Sequence, residues 1–298
     1  MADGPRPNVD RRLADLQHQF DLERLEVNLF RGQSRDTGSA QVFGGQVLGQ
    51  ALKAAYATIE DGRKVHSLHA YFLRRGDFTK PIVYSVDRSR DGGSFSARRV
   101  VAVQDGEQIF ICSASFQEEE KGLEYQAEGP QVPPPEDLQP LHKPSQEELA
   151  KLPEKLRRWL EIERPFEFRP VQTYNPLAPV ATVPPVRQIW MRAVDKLPDD
   201  EALHRCLLAY VSDYWLLDTS TMPHGASFLR GNLVMASIDH AIWFHRPARV
   251  DDWLLYSLDS PSSSGARGFA RGAFYTRTGV LVASTAQEGL IRLVRSQS

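Results

Sequence analysis

The chain has 298 residues, 41% of them hydrophobic, which is enough apolar material for a sizeable core and more length than one small domain needs. A formal net charge of −2 with no long basic run gives no electrostatic reason to expect nucleic acid. No apolar run approaches membrane-spanning length, and the N-terminal MADGPRPNVDRR lacks the apolar stretch of a signal peptide. Cys112 and Cys206 sit inside apolar runs, as buried free thiols of a reducing compartment do, so a soluble cytoplasmic protein without membrane insertion is expected.

In chain order, residues 1–12 read as a loose polar arm and Leu13–Leu22 as a short helix. Leu25–Arg31 is a first strand, ending at the turn-prone GQSRDTG. Gly44-Gly45 opens an amphipathic helix carrying Val47, Leu48, Ala51, Leu52 and Ala55 at helical spacing. Four strand-like runs follow: Lys64–Arg74, Pro81–Arg90, Ser94–Gln104 and Gln108–Glu118. Glu118–Pro170 breaks the pattern, because GPQVPPPEDLQP cannot sit inside a sheet. Within it, Ser145 and Glu148 have capping-box spacing, and Pro153 suits the first turn of another helix ending near Ile162. Strands are then expected at Phe166–Tyr174 and Arg187–Ala193, followed by a helix over Glu201–Leu217 behind the N-terminal residues Asp199-Asp200. Four more strands follow, at Asn232–His245, Asp252–Ser260, Ala266–Arg277 and Val280–Val294. By periodicity alone this order is α+β.

The two strand-rich parts echo each other. SLHAYF (from Ser67) resembles the start of SIDHAIWF (from Ser237), and GEQIFICSASFQ answers GVLVASTAQ. The spacing is 170 residues from Ser67 to Ser237 and from Gln117 to Gln287, and 172 from Tyr84 to Tyr256. The chain therefore reads as a duplication, and function is to be sought where the copies differ.

Three side chains stand out as polar groups where the pattern expects burial. Asp213 shares a helix face with Cys206, Tyr210 and Leu217, so it interrupts the stripe that should meet the sheet. It is open whether it is a working carboxylate or a structural one paired with backbone or an arginine. Gln287 lies on the last strand among Leu281, Ala283, Thr285 and Gly289; it either positions a water or substrate, or satisfies backbone at the strand edge, as its counterpart Gln117 suggests. Ser237 lies in ASIDHAIWFHRP, where strict alternation puts Ile238, His240, Ile242 and Phe244 on one side and Ser237, Asp239, Ala241 and Trp243 on the other. No G-x-S-x-G elbow surrounds Ser237, which argues against a serine nucleophile. The histidines, placed on opposite strand faces, make no metal set, and the glycines lack phosphate-loop spacing. Gly44-Gly45 is better used at a helix N-terminus, where free N–H groups face a carbonyl or anion.

Taken together, FRGQS, QVFGGQVLGQAL, HAYFLRRGD, GGSFSARRV, SDYWLL, ASIDHAIWFHRP, WLLYS and ARGFARGAFYTRTGVLVASTAQEG resemble the acyl-CoA thioesterase II family from about Leu22 to Ile291. The resemblance implies a double hotdog, two repeats each with a long helix wrapped by a curved antiparallel sheet. It divides the chain into an N-terminal arm (1–21), a first hotdog domain (22–120), a Pro-rich linker with short helices (121–165) and a second hotdog domain (166–298) that carries the site. It implies hydrolysis of acyl-CoA to free acid and CoA by a water held by Asp213, Ser237 and Gln287, with no metal or organic cofactor and a homo-oligomer, a tetramer by resemblance. The family's bacterial members more often resemble threonine where this chain has Ser237, which keeps the hydroxyl. The helix Gln46–Thr58 offers no carboxylate matching Asp213, as one complete and one degenerate site would require. Two alternatives are open from the residues: a hotdog hydratase or dehydratase, which would pair its Asp with a His on one segment, and a non-enzymatic acyl-CoA-binding protein.

Overall fold

The computed structural model describes residues 10–39, 41–60, 62–141, 144–152, 154–172, 181–226 and 232–294. Its first half runs through helix α1 (Arg11–Phe20), the strand pair β1 (Glu23–Glu26) and β2 (Leu29–Gly32), helix α2 (Gly44–Tyr56), and strands β3 (Lys64–Phe72), β4 (Ile82–Asp91), β5 (Phe95–Gln104) and β6 (Glu107–Gln117). Two short helices follow, α3 (Gln146–Ala150) and α4 (Glu154–Glu161). The second half has β7 (Phe166–Pro170), β8 (Val186–Ala193), α5 (Glu201–Ser212), α6 (Leu216–Thr219), β9 (Leu233–Ser237), β10 (Asp239–Phe244), β11 (Leu254–Ser264), β12 (Arg267–Thr276) and β13 (Leu281–Leu293).

All strands among the described residues join one antiparallel sheet in the order β1-β2-β4-β5-β6-β3-β10-β13-β12-β11-β8-β7, with β9 also on β13. The order is the same read outward from the centre in each half, and the halves meet at β3 and β10. Their long helices, α2 and α5, pack against each other, and α2 also crosses the sheet of its own half. The architecture is the double hotdog anticipated from the sequence.

Helix α2 is apolar nearly all round, as a helix enclosed on every side must be. Its two buried glutamines are satisfied. Gln50 donates to the carbonyls of Gln19 and Gln33 and accepts from Tyr84 Oη, while Gln46 bonds Ser34 Oγ and the Arg35 amide. Gly45 and Gly49 let α5 come close. A Cβ on Gly45 would lie 2.1 Å from the Tyr210 carbonyl oxygen, and one on Gly49 2.9 Å from that of Cys206. The β5–β6 hairpin turns on Asp105-Gly106, both with positive φ, as a two-residue loop that follows the sheet twist requires.

Several expected elements differ in detail. The first strand is a hairpin, β1 and β2, and the helix expected over Leu13–Leu22 forms as α1, starting two residues earlier, with Leu13, Leu16 and Phe20 in the core; residues 1–9 of the arm lie outside those described. The strand expected to reach Tyr174 ends at Pro170, beyond which residues 173–180 are outside the described set, as is Pro153. The Ser145 capping box forms at α3. The proline-rich stretch lies against the second half. Gln126 bonds Gly279 O and the Leu281 amide, and Pro133 O accepts from Trp190 Nε1. No described helix is long and apolar enough to cross a membrane.

Two corrections bear on the site. The helix expected over Glu201–Leu217 stops at Ser212, and Trp215 takes a left-handed conformation before α6 begins. The strand expected over Asn232–His245 is two, β9 and β10, broken at Ile238.

Candidate active site

Helix α5 ends where side chains take over its last backbone groups. Ser212 Oγ donates to Ala209 O (2.9 Å), and Tyr256 Oη donates to Ser212 O (2.8 Å) while bonding Thr285 Oγ1 (2.9 Å). Asp213, its backbone still in the right-handed region, is the C-cap instead of an interior residue of the helix face. The turn behind it is braced: Trp215 lies under the Arg187 guanidinium (4.9 Å), which also pairs with Asp218 (2.9 Å). The Asp213 carboxylate is thereby brought to the N-terminus of α2. It accepts from the Gly45 amide, and its Oδ2 lies 2.7 Å from where a Cβ on Gly44 would stand. The anion facing Gly44-Gly45 is thus the protein's own carboxylate.

The break at Ile238 is a β-bulge. Ser237 pairs with Gly289 and Ala241 with Ala286, so four steps along one chain oppose three along the other. The Asp239 carboxylate fills the gap by accepting from the Glu288 amide (2.7 Å). The extra residue reverses the parity read by strict alternation. Ser237 stands opposite Gly289 and so shares the helix-facing side with Gln287, together with buried His240 and Ile242.

Gln287 is fully buried and its Nε2 makes two bonds, to Asp213 Oδ1 (2.8 Å) and to His240 Nδ1 (3.1 Å). His240 Nε2 meets Ser212 Oγ (2.9 Å). Gln287 Oε1 has no hydrogen-bond partner among the described residues. Burial pushes the Asp213 carboxyl above its ordinary range, against the opposing pull of the Gln287 and Gly45 bonds. Burial also pushes His240 down to about 3, so the imidazole is neutral.

Asp213 and Ser237 both line a cavity of about 470 Å3 between the halves. Its wall takes Phe43, Val47, Phe72 and Phe110 from the first half and Tyr210 and Tyr214 from the second, and Arg35, Arg74, Arg75 and Arg164 also line it. Both halves therefore build the site. The structure brings Asp213 and Gln287 into contact and sets Ser237 on the cavity wall with Asp213; no bond joins Ser237 to either among the described residues. Among those residues no group of three or more His, Cys, Asp or Glu could hold a metal ion.

The first-half counterparts also change. Tyr84 opposite Ala102 and Tyr256 opposite Phe274 are equivalent pairs; the same register makes Arg98 equivalent to Ala270. Arg98 pairs with Ala114 and Ala270 with Gln287, so the counterpart of Gln287 is Ala114, not Gln117. Two residues on, Phe116 opposite Val65 answers Gly289 opposite Ser237, so the counterpart of Ser237 is Val65, not Ser67. Gln117 lies on the other face of β6, where its amide reaches Glu120 (3.4 Å). Matching letters in the motifs misled, because the bulge and small loop changes shift the register. His240 and Ser212 were missed as site residues. The available signal was a polar residue on the buried side of ASIDHAIWF, but no spacing in sequence links it to Gln287.

Family comparison gives two matches: the family described as Acyl-CoA thioesterase over residues 156–290, and the Acyl-CoA thioesterase N-terminal domain over residues 33–117. Acyl-CoA thioesterase 2 of Haemophilus influenzae is 42% identical, covering 94% of this chain and 98% of its own. Human acyl-coenzyme A thioesterase 8 is 40% identical over 96% of this chain and 92% of its own. Among solved structures, an acyl-CoA thioesterase II from Mycobacterium marinum is 42% identical with a TM-score of 0.76, covering 94% of this chain and 98% of that one. A hotdog protein from Alicyclobacillus acidocaldarius, 20% identical, has the same TM-score and shares the fold.

Proposed function

The chain belongs to the acyl-CoA thioesterase family and hydrolyses acyl-CoA thioesters, and we propose that it does so by direct attack of a water held by Asp213, Ser237 and Gln287. The observation that carries the reading is the Asp213 carboxylate. It stands on the cavity wall, fixed by Gln287 on one oxygen and by the Gly45 amide, with its proton affinity raised by burial. Such a group is a stronger base than an exposed carboxylate.

Asp213 takes a proton from the water as its oxygen adds to the thioester carbonyl. The Ser237 hydroxyl and Gln287 Oε1 orient that water. The Gly44 amide, at the N-terminus of α2 and on the cavity wall, receives the developing oxyanion. The tetrahedral intermediate then collapses, the carbon–sulfur bond breaks, and CoA leaves as thiolate, which takes a proton from solvent or from Asp213. The aromatic and aliphatic wall suits the acyl chain, and the arginines suit the phosphates of CoA. No metal or organic cofactor enters this scheme.

The chain divides, in this reading, into an arm, a first repeat over residues 22–120, a linker over 121–165, and a second repeat from 166 that supplies Asp213, Ser237 and Gln287. A homo-oligomer, a tetramer by resemblance, fits the exposed Tyr71 and Trp243 on adjoining central strands. A cytoplasmic setting fits the two buried free thiols. The testing experiment is thiol release from saturated acyl-CoAs of increasing length by the purified chain and by Ser237→Ala. A Ser237→Ala enzyme with unchanged kcat would remove the hydroxyl from the scheme.

A further inference from the structure

When Asp213 is ionised, the hydrogen bonds leading inward from it can take only one direction. An ionised carboxylate can only accept, so the Gln287 atom 2.8 Å from Asp213 Oδ1 is the amide nitrogen. That nitrogen's second proton points to His240 Nδ1, which must therefore be the bare, accepting nitrogen of the imidazole. The imidazole proton is then on Nε2 and is given to Ser212 Oγ. Ser212 has a single proton and gives it to Ala209 O. A flipped Gln287 amide would set its oxygen against the carboxylate, and the opposite tautomer would set two N–H groups against each other. The run from Ala209 O to Asp213 has one polarity, and the histidine is the link that transmits it.

The first half shows that the fold does not need this histidine. Ala114 stands at the position of Gln287, and its partner across the β3–β6 pair is Leu68, fully buried. By the same register Leu68 is the counterpart of His240. A buried imidazole in place of leucine is costly unless both nitrogens are bonded, and here both are.

We propose that His240, backed by Ser212, is a positioning residue for the hydrolysis: it holds the Gln287 amide with its nitrogen on Asp213 and its oxygen left for the reacting water. The proposal rests on the site reading above. It assigns His240 no proton transfer and no contact with substrate; it acts only through Gln287.

The test uses His240→Leu, which installs the first-half residue, and His240→Asn, whose side-chain oxygen can accept in place of Nδ1. Each is made in the full chain and in the Gln287→Ala background, and Tm is measured throughout. His240→Leu is expected to lower kcat roughly tenfold with KM within about twofold, a coupling of the size seen for side chains sharing a network. His240→Asn is expected to regain most of that loss. In the Gln287→Ala background, His240→Leu is expected to change kcat by less than about twofold. Nitrogen NMR of the unsubstituted protein is expected to show the Nε2–H tautomer; Ser212→Ala, the fallback should His240→Leu fail to fold, is expected to lower kcat and leave KM alone. An Nδ1–H tautomer, an equal loss in both backgrounds, or full activity in His240→Leu beside a slow Gln287→Ala enzyme would each overturn the proposal alone. A Gln287→Ala enzyme with full kcat would overturn the site reading itself, and this proposal with it.

Discussion

Replacing Asp213 by Asn separates a working carboxylate from a structural one. The amide presents its oxygen to Gln287 Nε2, which donates, and so keeps that bond. The base is gone, while Gln287 stays held. Loss of a general base is worth about 10²–10⁴-fold, or about 3–5 kcal/mol of barrier. Stability moves the other way. The folded carboxyl binds its proton more tightly than the unfolded one, whose ordinary value is 3.8, because burial outweighs the two bonds. The resulting penalty on the folded state is absent below the unfolded value, grows as pH rises from there, and is complete above the raised folded value. Asp213→Asn removes it, and Tm at neutral pH is expected to hold or rise while kcat collapses. In the unsubstituted enzyme the acid limb of kcat/KM is expected above the usual carboxylate range, and the residual activity of Asp213→Asn is expected to lack it. The assay is thiol release across pH beside thermal unfolding. A fall in kcat of less than about tenfold, or a Tm drop of several degrees that accounts for the lost activity, would refute the reasoning.

Gly44→Ala puts a methyl 2.7 Å from Asp213 Oδ2 and 3.0 Å from the Phe72 ring, and a carboxylate tethered by Gln287 and Gly45 cannot step aside freely; kcat is expected to fall roughly tenfold or more with little change in Tm, read by turnover and thermal melt. Gly45→Ala meets the Tyr210 carbonyl oxygen at 2.1 Å, which is backbone, so α2 and α5 must part; unfolding in denaturant is expected to show a loss of about 1–3 kcal/mol or more. Gln117→Ala, on the outer side of β6, is expected to leave thiol release nearly intact, and a loss matching that of Gln287→Ala would return the site to both repeats.

The sequence by itself determined the duplication, the α+β class and most strand limits, because burial on one side of a strand leaves a period of two and a turn leaves Gly, Pro or Asp. It also singled out Asp213 and Gln287, since a carboxylate and an amide among apolar neighbours break those periods. What it misjudged depends on single residues of geometry. Helix α5 stops at Ser212 because Tyr256, from a strand far along the chain, takes the Ser212 carbonyl, and no local residue announces that partner. The bulge between β9 and β10 turns Ser237 to the helix-facing side because a carboxylate, Asp239, replaces a backbone acceptor in the ladder; strict alternation has no place for that extra residue. The equivalence of Gln287 with Ala114 rather than Gln117 follows from pairing register, which letters in a motif do not encode. The joining of Asp213 to α2, and of His240 to Gln287, belongs to tertiary structure alone. Such contacts form only when the glycines of α2 admit α5 and the two halves close on each other, and that depends on distances between segments that lie far apart in the chain.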